Sequence, residues 1–165
     1  MIKLRTMAAA FLMNDGEFLL MKRSAGRVLS PGLWAGVGGH FEPAELNHPQ
    51  AACLREVLEE TGISEKDISD LGLKYITLRR KADEIRVQYI FFGDSSVRDV
   101  IQTDEGELRW ISESDLLNRE LSFATRSFLE HYLEVGRKID TIMVGTIDAV
   151  DGSPVIHWDP LRDWE

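Results

Sequence analysis

Gly38-Gly39-His40-Phe41-Glu42-Pro43-Ala44-Glu45 and, nine residues further on, Arg55-Glu56-Val57-Leu58-Glu59-Glu60-Thr61-Gly62-Ile63 form the stretch on which the fold turns. The second block is expected to be helical. Pro49 is tolerated in a first turn that Asn47 or His48 caps, and Gly62 stops the helix after Thr61. At about 100° per residue, Glu56 and Glu60 nearly eclipse one another, with Glu59 beside them and Ala52 and Ile63 completing the stripe. Ala51, Leu54 and Leu58 fall opposite, flanked by Cys53 and Val57, and are expected to dock on a sheet. Three like charges within two turns oppose helix formation by a few tenths of a kcal/mol per i,i+4 pair. They also sit at the end of the helix where the macrodipole disfavours anions. Arg55, four residues before Glu59, offsets part of that repulsion; a divalent cation, which takes hard oxygen ligands, offsets far more.

Outward from this block the chain alternates strands and helices. Residues 6–13 and 17–22 are apolar runs separated by Asn14-Asp15-Gly16, the signal of a tight hairpin. Residues 23–31 are polar and end in Ser30-Pro31, hence a loop, and the short run 33–39 is glycine-rich, the mark of close backbone approach. Residues 73–80 and 84–93 predict a second hairpin. Residues 107–112 predict a strand, 113–117 a short helix, and 122–136 a helix burying Phe123, Phe128, Leu129 and Tyr132. In the tail, 141–150 and 155–158 read as strands around Asp151-Gly152-Ser153-Pro154. The expected organisation is a domain over residues 1–138 and an extension over 139–165, a hairpin packed on the same domain.

A length of 165 residues suits one domain. With 19 basic against 28 acidic residues, a formal net charge of -9, the chain is poorly suited to a nucleic-acid polymer, whose binding rests on Lys and Arg. Cys53 is the only cysteine, so neither an intrachain disulfide nor a thiolate metal cluster is available. The apolar run near the N-terminus is too brief to span a membrane. The expected setting is cytoplasmic, with no membrane partner.

The ordered set from Gly39 to Glu45 and from Arg55 to Ile63 resembles the Nudix family signature, of the MutT-like branch. Arg55 through Ile63 matches at every fixed position. The departure is Leu46–Leu54, nine residues where the pattern has seven, with the two extra residues placed around Leu46-Asn47. Loops absorb insertions at little cost, so the helix register is untouched; the position of Glu45 relative to Arg55 is what the insertion leaves open.

The resemblance implies an α/β fold: a Nudix-type α/β/α sandwich with a mixed β-sheet, here with a C-terminal β-hairpin. It implies divalent-metal-dependent hydrolysis of a phosphoanhydride in a nucleoside diphosphate linked to another moiety. The first expectation for substrate is an ordinary or oxidised nucleoside triphosphate giving nucleotide and pyrophosphate; nucleotide sugars, ADP-ribose and dinucleoside polyphosphates come next. By resemblance Glu56, Glu59 and Glu60 hold Mg2+, or Mn2+ in its place, with a backbone carbonyl of Gly38 or Gly39. Arg55 orients the carboxylates, Glu45 braces the loop, and an acid from 104–107 completes the site or serves as base, Glu105 first and Glu107 second. A homodimer is the expected assembly. The competing reading is a catalytically silent Nudix-like module that binds a nucleotide, which would be expected to have lost these carboxylates. An isoprenoid-diphosphate isomerase shares the fold but needs an active-site cysteine, and Cys53 lies on the packed flank of the helix.

Further candidates stand against plainer readings. Arg23 and Arg27, with Lys22, are either phosphate-binding or ordinary surface charges. Trp34 either stacks on a base or belongs to the core. His40 suits a loop hydrogen bond better than ligation of a hard metal.

Overall fold

The structure, a computed structural model, describes residues 1–26 and 31–165. Arg27, one of the phosphate-binding candidates, lies outside the described residues. The chain opens with β1 (Lys3–Asn14) and β2 (Glu17–Arg23). Asp15 and Gly16 turn between them with φ of 48° and 77°, the paired positive values that suit the twist of a two-residue hairpin. β3 (Trp34–Ala35) and β4 (Val37–His40) form one bent ribbon. The ribbon runs first along β2 and then along β1, pairing Ala8 with Gly39 and Ala9 with Gly38. A 3-10 turn over Pro43–Glu45 leads to α1 (Pro49–Thr61), which Gly62 ends in the left-handed conformation at φ 78°.

Next come β5 (Ile68–Lys81), β6 (Glu84–Ser95), β7 (Gly106–Ser112), α2 (Glu113–Leu116), α3 (Phe123–Glu134), β8 (Met143–Val150) and β9 (Ser153–Pro160). The strands join in one sheet ordered β3-β2-β1-β6-β5-β8-β9, with β4 on β1 and β7 on β2. It is mixed: β1–β6 and β5–β8 run parallel and the remaining pairs antiparallel. The C-terminal hairpin therefore lengthens the sheet through β5.

Alternation along β1 sorts the core into two layers. Ala8, Ala10 and Leu12 pack with Cys53, Val57 and Ile63 on the α1 side. Ala9 and Phe11 pack with Phe128, Leu129 and Tyr132 on the α3 side. This is the expected α/β/α sandwich. Two expectations of face are corrected. α1 docks through Ala52, Cys53 and Val57, small enough for the helix to lie close to the sheet, while Leu58 is exposed and Leu54 only half-buried. Phe123, at the first turn of α3, is also largely exposed, and the helix buries Thr125 beside Phe128, Leu129 and Tyr132 instead.

Candidate active site

A cleft of about 650 Å³ opens where β1, β4, α1 and α3 meet. Its acidic wall consists of Glu56 and Glu60 from α1, facing Gly38 and Gly39 of β4, with Glu105 and Arg23 also on the lining. The glycines set this geometry. A Cβ on Gly38 would fall 2.1 Å from the Ala8 carbonyl oxygen, and one on Gly39 would fall 2.6 Å from the carboxyl atoms of Glu56. Only a chain without side chains there lets β4 pair with β1 while α1 presses a carboxylate onto its outer side.

Glu60 is 8% exposed. Its Oε2 accepts the Gly38 N–H at 2.9 Å, so the carboxylate turns inward onto a backbone donor and the cleft rather than onto apolar neighbours. Burial pushes its carboxyl up to about 7; the charges of Glu56 and Glu105 add to the rise, and the Gly38 N–H and Arg23 act against it. Burial also raises Glu56, with Glu59 and Glu45 adding to it and Arg55 opposing.

Arg55 is the hub beneath this wall. Its Nε and Nη2 donate to Glu45 at 2.7 and 2.9 Å, and Nη1 donates to Glu56 at 3.0 Å and Glu59 at 3.1 Å. Nη2 also reaches the His40 carbonyl at 3.1 Å. The extra residues before Pro49 therefore leave Glu45 within reach of Arg55. The bidentate pair holds Glu45 at about 2, helped by the Glu42 N–H, which donates to Glu45 at 2.8 Å.

Not every candidate converges. The Glu59 side chain is 58% exposed and turned to Arg55, away from the cleft lining. Among the described residues no three His, Cys, Asp or Glu side chains form a ready-made cage. The reason is local: Arg55 draws Glu59 outward, while Glu56 and Glu60 face the glycines. Glu105 lines the cleft and acts on Glu60 by its charge; Glu107 lies exposed along β7 against Arg109 Nε at 2.6 Å. Trp34 is 7% exposed in the α3-side core with the Arg119 guanidinium 5.4 Å from its ring centroid, and it contributes to the lining of a small recess beside the cleft. Arg23 lines the cleft, and its Nε is buried without a hydrogen-bond partner among the described residues. The His40 carbonyl serves the loop, as noted for Arg55; its ring is held below the usual range by partial burial and by Arg5, Arg23 and Arg86. Cys53 is fully buried and its thiol is pushed up to about 12 by burial and by Glu56, which makes it no nucleophile.

The residues present fit a hard divalent cation. Two carboxylates with raised proton affinity stand against glycine backbone in a concave site, and such a pair is stabilised by a cation. Glu56, Glu60 and a backbone carbonyl of the glycine pair are the oxygen donors available. Arg5, Gln88 and Thr125, which also line the cleft, were missed in the sequence because they lie on distant strands and on α3 and carry no local motif.

A NUDIX domain family model matches residues 3–132. The chain is 34% identical over 134 residues to the nucleoside triphosphatase NudI of Escherichia coli O81 (strain ED1a), covering 76% of this chain and 94% of that one. It is 34% identical to NudI of Klebsiella pneumoniae (strain 342), covering 74% and 92%. Among solved structures, a MutT protein from Bacillus halodurans superposes with a TM-score of 0.75 at 20% identity, covering 94% of this chain and 97% of that one. A MutT protein from Methanosarcina mazei Go1 gives 0.70 at 28% identity, covering 83% and 98%. Among the described residues no helix is long and apolar enough to cross a membrane.

Proposed function

The chain belongs to the NUDIX family and is a hydrolase of nucleotide phosphoanhydrides, and from that premise we propose that its substrate is a nucleoside triphosphate, split to nucleotide and pyrophosphate with Mg2+ or Mn2+. The carrying observation is the pair Glu56 and Glu60 closed over the glycine ribbon at the wall of the cleft. The 34% identity to nucleoside triphosphatases supports this choice of substrate over nucleotide sugars or ADP-ribose. The ordinary and oxidised forms of the base remain together in this reading.

Glu56, Glu60 and a backbone carbonyl of Gly38 or Gly39 would hold the cation. Once bound, it neutralises phosphate oxygens and makes a coordinated water more acidic. Arg55 keeps Glu56 aimed while its other donors lock Glu45, which ties the helix to the loop. Glu59 helps to hold Arg55 and adds negative charge at the rim. Arg23, whose guanidinium lines the cleft beside Glu60 and Glu105, binds phosphate oxygens. Glu105 accepts the proton as the oxygen of water bonds to phosphorus; the bridging P–O bond breaks and its electron pair leaves with the departing phosphate group. Residues 1–138 carry this chemistry, and 139–165 serve as a sheet extension.

The test is a panel of nucleoside triphosphates, nucleotide sugars and ADP-ribose with Mg2+ or Mn2+, following phosphate and pyrophosphate separately, beside Glu60→Gln. Pyrophosphate from a triphosphate, with a loss of about 100-fold or more in kcat for the variant, is the expected outcome. A variant as fast as the parent would overturn the assignment of Glu60.

A further inference from the structure

Beyond the acidic wall the cleft continues into a smaller recess of about 130 Å³, lined by Arg79, Arg86, Thr77 and Ser122. The two share Met7, Arg23, Ala35, Gln88 and Thr125 and form one channel. Strand register builds its far end. Arg5 on β1 pairs with Arg86 on β6, which pairs with Arg79 on β5, so three arginines stand abreast on three adjacent strands. The neighbouring row on the same face is Met7, Gln88 and Thr77. At about 4.8 Å per strand, Arg5 and Arg79 are ~10 Å apart across the sheet.

Like charges directly opposite on a sheet are destabilising, and this row sets Arg86 between two other arginines. One carboxylate answers them: Glu84 accepts from Arg5 Nε at 3.1 Å and from Arg86 Nε. Arg79 makes no side-chain hydrogen bond or ion pair among the described residues. Partial burial and the charge of Arg86 both disfavour its cationic form. Three cations against one anion on the wall of a channel leave an excess positive charge that an oxyanion would neutralise, with planar guanidinium donors suited to phosphate or carboxylate.

Placement gives the ligand its length. Gly39, at the acidic wall, pairs with Ala8, and Arg5 lies three residues along the same strand, ~10 Å of backbone away and on the α3-side face of β1, with both Arg5 and the glutamates lining the cleft. The cationic row is thus separated from the acidic wall by about the span of a nucleoside. We propose that Arg5, Arg86 and Arg79 bind a second oxyanion on the nucleoside half of the substrate, so that the preferred substrate is a nucleoside polyphosphate carrying an additional phosphate or carboxylate. The inference rests on the hydrolase reading for which end of the nucleotide meets the glutamates. The negative group belongs either to a sugar phosphate or to an acidic base, and both offer the same chemistry to the arginines.

The experiment is equilibrium binding by calorimetry to the full chain freed of metal with EDTA, with two matched pairs of probes. Adenosine 3′,5′-bisphosphate is set against adenosine 5′-phosphate, and orotidine 5′-phosphate against uridine 5′-phosphate. The parent is expected to prefer the member carrying the additional anionic group in at least one pair by about tenfold, equivalent to ~1.4 kcal/mol; the pair that shows it identifies sugar phosphate or base carboxylate. Arg79→Gln, at a position with no side-chain hydrogen bond or ion pair among the described residues, should reduce that preference to about threefold or less, and Arg79→Lys should retain part of it. No preference in either pair for the parent, or an undiminished preference in Arg79→Gln, would overturn the proposal. Because these measurements involve no turnover, they stand apart from the hydrolysis panel: a protein that splits triphosphates without the preference loses only this inference, and one with the preference but no hydrolysis loses only the other.

Discussion

The two faces of the sheet are stabilised in different ways. On the α3 face rings interlock: Phe92 and Tyr132 stack at 3.6 Å, Phe11 meets Phe128 edge-on at 5.2 Å, and Trp158 of the C-terminal hairpin lies 5.1 Å from Tyr75. On the α1 face the helix touches the sheet through Ala52, Cys53 and Val57, and its edge carries Glu56 and Glu60 into a site where burial disfavours their charge. The first face supplies stability, and the second holds carboxylates in a state that water would not choose. Strain of that sort is expected where charge is being kept for a ligand.

The contrast can be broken from either side. The largest change in stability is expected on the aromatic face. Leu129 is fully buried and lines neither part of the channel, so Leu129→Ala should cost about 2–5 kcal/mol in denaturant unfolding while Mn2+ affinity stays at the parent value. The opposite sign is expected on the acidic face. At pH 8 Glu60→Gln removes a buried charge and keeps an acceptor for the Gly38 N–H, so the metal-free variant should be more stable than the parent by on the order of 2 kcal/mol. A loss of stability instead would mean that the carboxylate is held by contacts stronger than its burial cost.

The smallest effect is a dependence on pH. The Tyr75 hydroxyl lies 2.8 Å from His131 Nδ1, and burial lowers the pKa of that imidazole below 6.5, with Glu134 opposing. The unfolded chain therefore takes up a proton that the native chain resists. The contribution of His131 is complete above pH 6.5 and is lost as pH falls below it, with a slope of at most ~1.4 kcal/mol per pH unit. His131→Asn should flatten the fall in thermal midpoint between pH 6.5 and 5; an unchanged slope would assign the acid sensitivity elsewhere.

Local signals carried much of this architecture. Asn14-Asp15-Gly16 marked the first hairpin, Pro49 and Gly62 framed α1, and Gly38-Gly39 announced a close approach that proved to be Glu56 against bare backbone. What stayed hidden depended on distant neighbours. Leu54 and Leu58 looked like the docking side of α1 by hydrophobicity, yet the sheet accepts the smaller side chains because closeness, rather than apolar bulk, brings the glutamates to β4. Trp34 packs in the α3-side layer and also lines a recess, a double placement that depends on the pairing of β3 with β2 and has no local signal. The row Arg5, Arg86 and Arg79 spans 82 residues of chain and exists only through the parallel β1–β6 register and the antiparallel β5–β6 register.

The central claim, that Glu56 and Glu60 hold a divalent cation over the glycine ribbon, is tested most directly by titrating Mn2+ into metal-free protein and reading bound ion by electron paramagnetic resonance, in the parent, Glu56→Gln, Glu60→Gln and Leu129→Ala. The account predicts saturable binding by the parent and by Leu129→Ala, weakened about tenfold or more in each glutamine variant. Glutamine variants that bind Mn2+ as tightly as the parent would contradict it.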